Sequence, residues 1–128
     1  MLFREHPAFL RDLKPLDKYG IGDGLPMVKK LLAAQFAADC PKRAIHPGKI
    51  HHVASVPGWD VWKVEVVSRG LRPGQWPRMW FAVSESSIAL LAIGTHIQNY
   101  SDNGMEAVAL GRLSELLPPG PPGPATGE

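Results

Sequence analysis

The sequence predicts an α+β fold, with an N-terminal helical hairpin packed on a small antiparallel β-sheet and a short C-terminal helix. Three observations predict it. Three β-like runs follow one another at Val61 to Val67, Arg78 to Val83 and Ile88 to Ile93, near enough in sequence to form a meander. Two N-terminal segments repeat apolar residues at helical spacing. A further helical stretch, residues 104–117, follows the last strand. Separate runs of helix and strand place the helices mainly on one face of a sheet. Charged side chains are then expected on the other face or at its rim.

The elements are justified in order. Leu2 to Glu5 fits a short first strand. Pro7 suits the first turn of a helix, where its missing N–H is no loss. Phe9, Leu10, Leu13 and Leu16 carry that helix over residues 7–19, with Pro15 as a stop or kink. Gly20 to Gly24 has three glycines in five residues, which is loop chemistry. Pro26 opens a second helix over Leu25 to Asp39, whose apolar stripe is Leu25, Val28, Leu31, Leu32 and Phe36. Residues 41–60 are rich in Pro, Gly and His and read as loop, with a short extended piece near Ile50 to Val56.

In the first run of the meander, Trp62, Val64 and Val66 face one way and Val61, Lys63, Glu65 and Val67 the other. In the second, Met79, Phe81 and Val83 oppose Arg78, Trp80 and Ala82. The third, IALLAI, is apolar on both faces, as a central buried strand should be. Asp102 or Asn103 suits the cap of the final helix. Beyond Leu117 come five prolines and three glycines in eleven residues, so 118–128 reads as a mobile tail and 1–117 as one domain.

Composition narrows the function. The 128 residues fit one domain, and 45% hydrophobic content allows a modest core. A net charge of +2 and a pI near 8.9 permit nucleic-acid contact without demanding it. The single cysteine, Cys40, excludes an internal disulfide and a multi-cysteine zinc site. It reads as a small apolar filler, and a free thiol fits a reducing cytoplasm. MLFREHPAFLRDLK carries charges where a signal peptide needs an apolar core, and no run approaches the roughly 20 residues of a membrane helix. A cytoplasmic protein without membrane contact is expected. His46, His51 and His52 lack the Cys or carboxylate spacing of a metal site, so neither metal nor cofactor is expected.

Lys63, Arg69, Arg72, Arg78 and His96 stand between and beside the three strands. Cations and one histidine on one surface of a meander suit a polyanion. Trp76 and Trp80 offer stacking surfaces for bases. Plain structural readings stand beside these. Arg78 at a strand edge fits a solvated or ion-paired residue, and Lys63 with Glu65 fits a polar sheet face. Trp62 and Trp80 fit a core, because large aromatics dominate burial in small domains. His96, after Gly94, equally fits a hydrogen-bonded turn. Trp76, in a Pro/Gly loop, is the least explained by packing.

Four segments together resemble the RelE/ParE superfamily of bacterial type II toxins. LFREHPAFLRDLKPL is similar to the family's first strand and helix. VWKVEVV resembles the strand in which a basic residue follows an aromatic or apolar one. RMWFAV resembles the next strand, which opens on an arginine. IALLAIGTHIQNY resembles the last strand with its basic or histidine-containing end and a tyrosine. The resemblance covers most of residues 1–117, and its weight lies in the order and spacing of the four pieces.

The resemblance implies a small toxin neutralised by a cognate antitoxin. In the RelE branch such a toxin enters the ribosome and cleaves mRNA without a metal, by attack of a 2′-hydroxyl on the adjacent phosphate. In the ParE branch the same scaffold inhibits DNA gyrase. A degenerate relative would act only by protein binding. For the nuclease, Arg78 and Lys63 would stabilise phosphorane charge, His96 would act as acid or base, Tyr100 would stack on a base or donate a proton, and Glu65 would be a base. Arg69, Arg72, Trp76 and Trp80 would bind RNA. Glu65 and His96 depart from the family's habit, since ribosome-dependent members tend to place a lysine and an arginine there.

Overall fold

Period-two alternation after Trp59 produces the strands that organise the molecule. The computed structural model describes residues 2–37, 39, 41–96 and 101–117. The elements are β1 (Leu2–Glu5), α1 (Pro7–Leu13), α2 (Gly24–Gln35), β2 (Ile50–Val56), β3 (Trp59–Glu65), β4 (Arg78–Val83), β5 (Ser87–Gly94) and α3 (Asp102–Leu116). Cys40, Tyr100 and the Pro/Gly tail lie outside the described residues. Among the described residues, no helix is long and apolar enough to cross a membrane.

The fold is α+β, with a C-terminal helix. The sheet is mixed, where an antiparallel one was expected. Its order is β1-β5-β4-β3-β2, and β1 runs parallel to β5. The N-terminus is not a helical hairpin. A strand comes first, and the first helix ends after Leu13 and tightens into a 3-10 segment over Lys14–Tyr19. Pro15 explains the break, because its ring and missing N–H cannot continue an α-helix. The short piece near Ile50 to Val56 is a full edge strand, paired to β3 through a two-residue Pro57-Gly58 turn. Gly58 sits at φ +83°, the left-handed geometry a type II turn requires at that position. The final helix is capped by Ser101, not Asp102 or Asn103: its hydroxyl accepts from the Gly104 N–H.

Helices cover both faces of the sheet rather than one. Phe9, Leu16 and Leu32 pack with Val64, Met79, Phe81, Ile88 and Leu90 on the first face. On the second face, Ala109 and Leu113 of α3 pack with Val61, Trp80, Ala82, Ala89 and Leu91. A bulge in β5 serves this second face. Trp80 pairs with Ala92 and Phe81 with Leu90, so Leu91 is the extra residue, and Leu91 and Ala92 join the same core. Ties at the sheet edge hold α3 in place. Arg112 Nη1 meets Asp12 Oδ2 at 2.5 Å and donates to the Leu91 carbonyl, and Arg4 Nη2 donates to the Leu116 carbonyl. Gly24 lets the start of α2 touch the chain leaving β3, because a Cβ there would lie 1.9 Å from the Val67 carbonyl oxygen.

The β2–β3 hairpin carries one perturbed carboxyl. Ser55 Oγ donates to Asp60 Oδ1 at 2.6 Å, and His52 Nε2 lies 3.3 Å from the same atom. The Ser55 hydroxyl, then His52, hold the Asp60 carboxyl below the usual carboxylate range. A carboxyl depressed in this way adds stability above its unfolded pKa, and that contribution is lost as pH falls through the folded value. This carboxyl's contribution to the hairpin is therefore lost on the acid side. Ser55→Ala should raise the Asp60 pKa toward its ordinary value in an NMR titration. An unmoved pKa would show that the hydroxyl is not the cause.

Candidate functional site

Register alone gathers most of the chemistry-bearing residues. On the second face, His51 of β2, Lys63 of β3, Trp80 of β4 and Ala92 of β5 stand in one cross-strand row. The next row toward the sheet end is Glu65, Arg78 and Gly94. Gly94 places no side chain beside Arg78. α3 covers the apolar part of this face, and its first residue, Asp102, reaches the polar part. Lys49, His51, Lys63, Glu65, Arg78 and Asp102 line the resulting cleft of about 90 Å³.

Each cation in the cleft has a partner. Lys63 Nζ lies 3.2 Å from Asp102 Oδ2, and Arg78 Nη1 lies 3.9 Å from Asp102 Oδ1. Asp102 thus bridges Lys63 and Arg78, and its place in the first turn of α3 favours a negative charge. Lys49 Nζ lies 3.3 Å from Glu65 Oε1. Arg78 Nη1 also donates to His96 Nε2. A guanidinium has no acceptor, so Nε2 presents its lone pair here. Lys63 and Arg78 are mostly covered, at 20% and 28% side-chain exposure, which weakens solvent screening of their charge.

Four of the sequence-predicted residues therefore come together: Lys63, Glu65, Arg78 and His96. Tyr100 lies outside the described residues. Arg69 and Arg72 do not line the cleft. Arg69 Nη2 instead pairs with Asp23 Oδ2 at 3.3 Å. The segment around it is tied to the end of the 3-10 turn, where Ser68 Oγ and the Gly70 N–H both donate to the Tyr19 carbonyl. Trp80 is 0% exposed, within the core under α3, so its ring is closed to a base. Trp76 is half-buried, and its Nε1 donates to the Leu71 carbonyl at 3.3 Å.

Sequence reasoning did not find Lys49, His51 or Asp102 as site residues. Lys49 falls in the segment read as loop, His51 in the short extended piece near Ile50 to Val56, and Asp102 was read only as a helix cap. The signal for His51 was present, because alternation at the start of Ile50 to Val56 puts it opposite Ile50 and His52. Among the described residues, no group of three His, Cys, Asp or Glu is arranged to hold a metal ion. No family model matches the chain, and neither a curated protein nor a solved structure matches it.

Proposed function

We propose that this protein is the toxin of a type II toxin–antitoxin pair, a ribosome-dependent endoribonuclease of the RelE kind. The observation that carries the reading is the pairing of Arg78 with His96 beside Lys63 and Glu65 at one open end of the sheet. The four segments that resemble the family fall on β1–α1, β3, β4 and β5, which agrees with the elements the resemblance implies.

The chemistry uses only side chains and the substrate's own hydroxyl. Glu65 or His96 takes the proton of the 2′-hydroxyl; for His96, Nε2 must first release the Arg78 N–H that its lone pair accepts. The 2′-oxygen bonds to phosphorus, and the bond from phosphorus to the 5′-oxygen breaks. The products are a 2′,3′-cyclic phosphate and a 5′-hydroxyl, whose proton comes from His96 or Tyr100. Arg78 and Lys63 hold the phosphorane charge, Arg78 through two parallel N–H donors. For this the phosphate must take the place of the Asp102 carboxylate on both cations. Such a protein needs an antitoxin, and an acidic antitoxin segment would complement Arg69, Arg72 and Arg78.

One observation favours a second reading. Glu65 and Asp102 neutralise much of the charge of Lys49, Lys63 and Arg78, which suits a protein that binds without cleaving, such as a gyrase inhibitor of the ParE kind. Mapping mRNA 5′ ends minutes after inducing the chain alone in bacteria separates the two. New ends inside translated codons are expected. Growth arrest without new ends moves the assignment to gyrase or another target, and neither effect leaves a binding-only protein.

A further inference from the structure

A second cleft, of about 190 Å³, opens beside the polar one, at the same end of the sheet. Val28 and Leu31 of α2 and Ile45 of the following loop supply apolar walls, and Trp76 closes one side. The two clefts share Lys49, Val64 and Glu65 at the end of β3, the polar one on the second face of the sheet and the apolar one on the first, so the strand end and the Lys49–Glu65 ion pair stand between them. Lys49 Nζ lies 5.6 Å from the centre of the Trp76 ring. The Trp76 Nε1 bond to the Leu71 carbonyl fixes the ring, and Thr95 Oγ1, donating to the Gln75 carbonyl at 2.7 Å, ties its loop to the end of β5.

We infer that this apolar cleft is a nucleobase subsite, which takes the base of the nucleotide whose phosphate occupies the polar cleft. An apolar slot with an aromatic wall, joined to a cationic one, matches the two halves of a nucleotide. An indole offers a flat face that any base can stack on. Lys49 and Glu65 at the rim offer a donor and an acceptor to base edges. Lys49 serves both halves, because its ammonium reaches the rim of each cleft. The inference rests on the nuclease reading and adds to it a place that distinguishes RNA from a bare polyanion.

The test compares two probes on the full chain: a short single-stranded RNA made uncleavable by 2′-O-methyl groups, and inorganic polyphosphate of equal charge. RNA should bind about tenfold more tightly, the scale of one aromatic–base stack. Trp76→Ala should remove that preference and leave polyphosphate affinity unchanged, which also shows the fold intact. Trp76→Phe should keep most of the preference. Equal binding of both probes by the unmodified protein, or a preference that survives Trp76→Ala, overturns the subsite. Equal binding would leave the cleft to an apolar side chain of a protein partner. If Trp76→Ala weakens both probes, Trp76→Leu keeps the apolar wall without the ring and decides by the same criterion. Failure of both probes to bind the unmodified protein overturns the subsite, whereas the nuclease reading stands or falls on the mRNA 5′ ends.

Discussion

Arg78→Ala is expected to abolish growth arrest when the protein is induced alone, while the purified variant still unfolds cooperatively. The residue begins β4 directly after Pro77, opposite Glu65, and its guanidinium reaches both His96 and Asp102. Removing one preorganised donor from a developing oxyanion costs about 10²–10³ in kcat. The loss here should reach the upper end, because Arg78 also positions His96. Asp102 keeps Lys63 as counter-ion in the variant, so the cost to stability stays near about 1 kcal/mol, the scale of a partly solvated ion pair. Arg78→Lys keeps the charge and loses the planar fork, so it should fall between the two. The readouts are mRNA 5′ ends after induction and a urea melt. A fully toxic Arg78→Ala would sink the assignment of this residue.

The largest stability effect is expected at Trp80. Its ring is 0% exposed and lies between the sheet and α3, beside Ala89, Leu91 and Leu113. Truncating such a side chain to alanine costs about 3–5 kcal/mol, because the transfer energy is lost and a cavity remains. Whole-domain stability is roughly 5–15 kcal/mol, so Trp80→Ala should shift the urea midpoint far and leave part of the population unfolded at body temperature. Trp80→Phe should recover most of the loss. A change under about 1 kcal/mol in Trp80→Ala would mean that α3 does not close a core on this face.

The strands were legible because alternation is local. Arg78 to Val83 matches β4, and Leu2 to Glu5 matches β1, residue for residue. IALLAI, apolar on both faces, already required cover on both faces, and β5 is buried along almost its whole length. The expectation of helices on one side overlooked that requirement. Alternation says which residues share a face but not which distant element covers it. β2 was only partly visible because it is an edge strand with a bulge at Val53, and His51, His52 and Ser55 break its apolar signal. The mixed topology was out of reach, since nothing local to Leu2–Glu5 shows that its partner is β5.

Much the same holds for the site. Lys63, Glu65 and Arg78 could be found because they alternate on two adjacent strands. His96 followed from its place just past β5. Lys49 and Asp102 could not, since they come from a loop and a helix start that only the fold brings together. Arg69 and Arg72 looked equivalent to Arg78 by charge. The structure separates them, because Arg69 is drawn to Asp23 while Arg78 faces inward. Trp76 and Trp80 looked equivalent as aromatic rings, and burial assigns one to the core and leaves the other at the rim of a cleft.

The parallel pairing of β1 with β5 also sets an order of events. Leu2 meets Ser87 and Glu5 meets Leu90, so the first strand made is completed by the last one. During synthesis, α1 and α2 emerge long before the strand that shields β1. The closure entropy of so long a loop is met only once β3, β4 and β5 have formed their local meander. Arg78, His96 and Asp102 come together over the same late interval, because they sit on β4, just after β5 and at the start of α3. A nascent chain of this protein therefore carries α1 and α2 early and its cleft last, and a truncated product ending before β5 has neither a closed sheet nor a site.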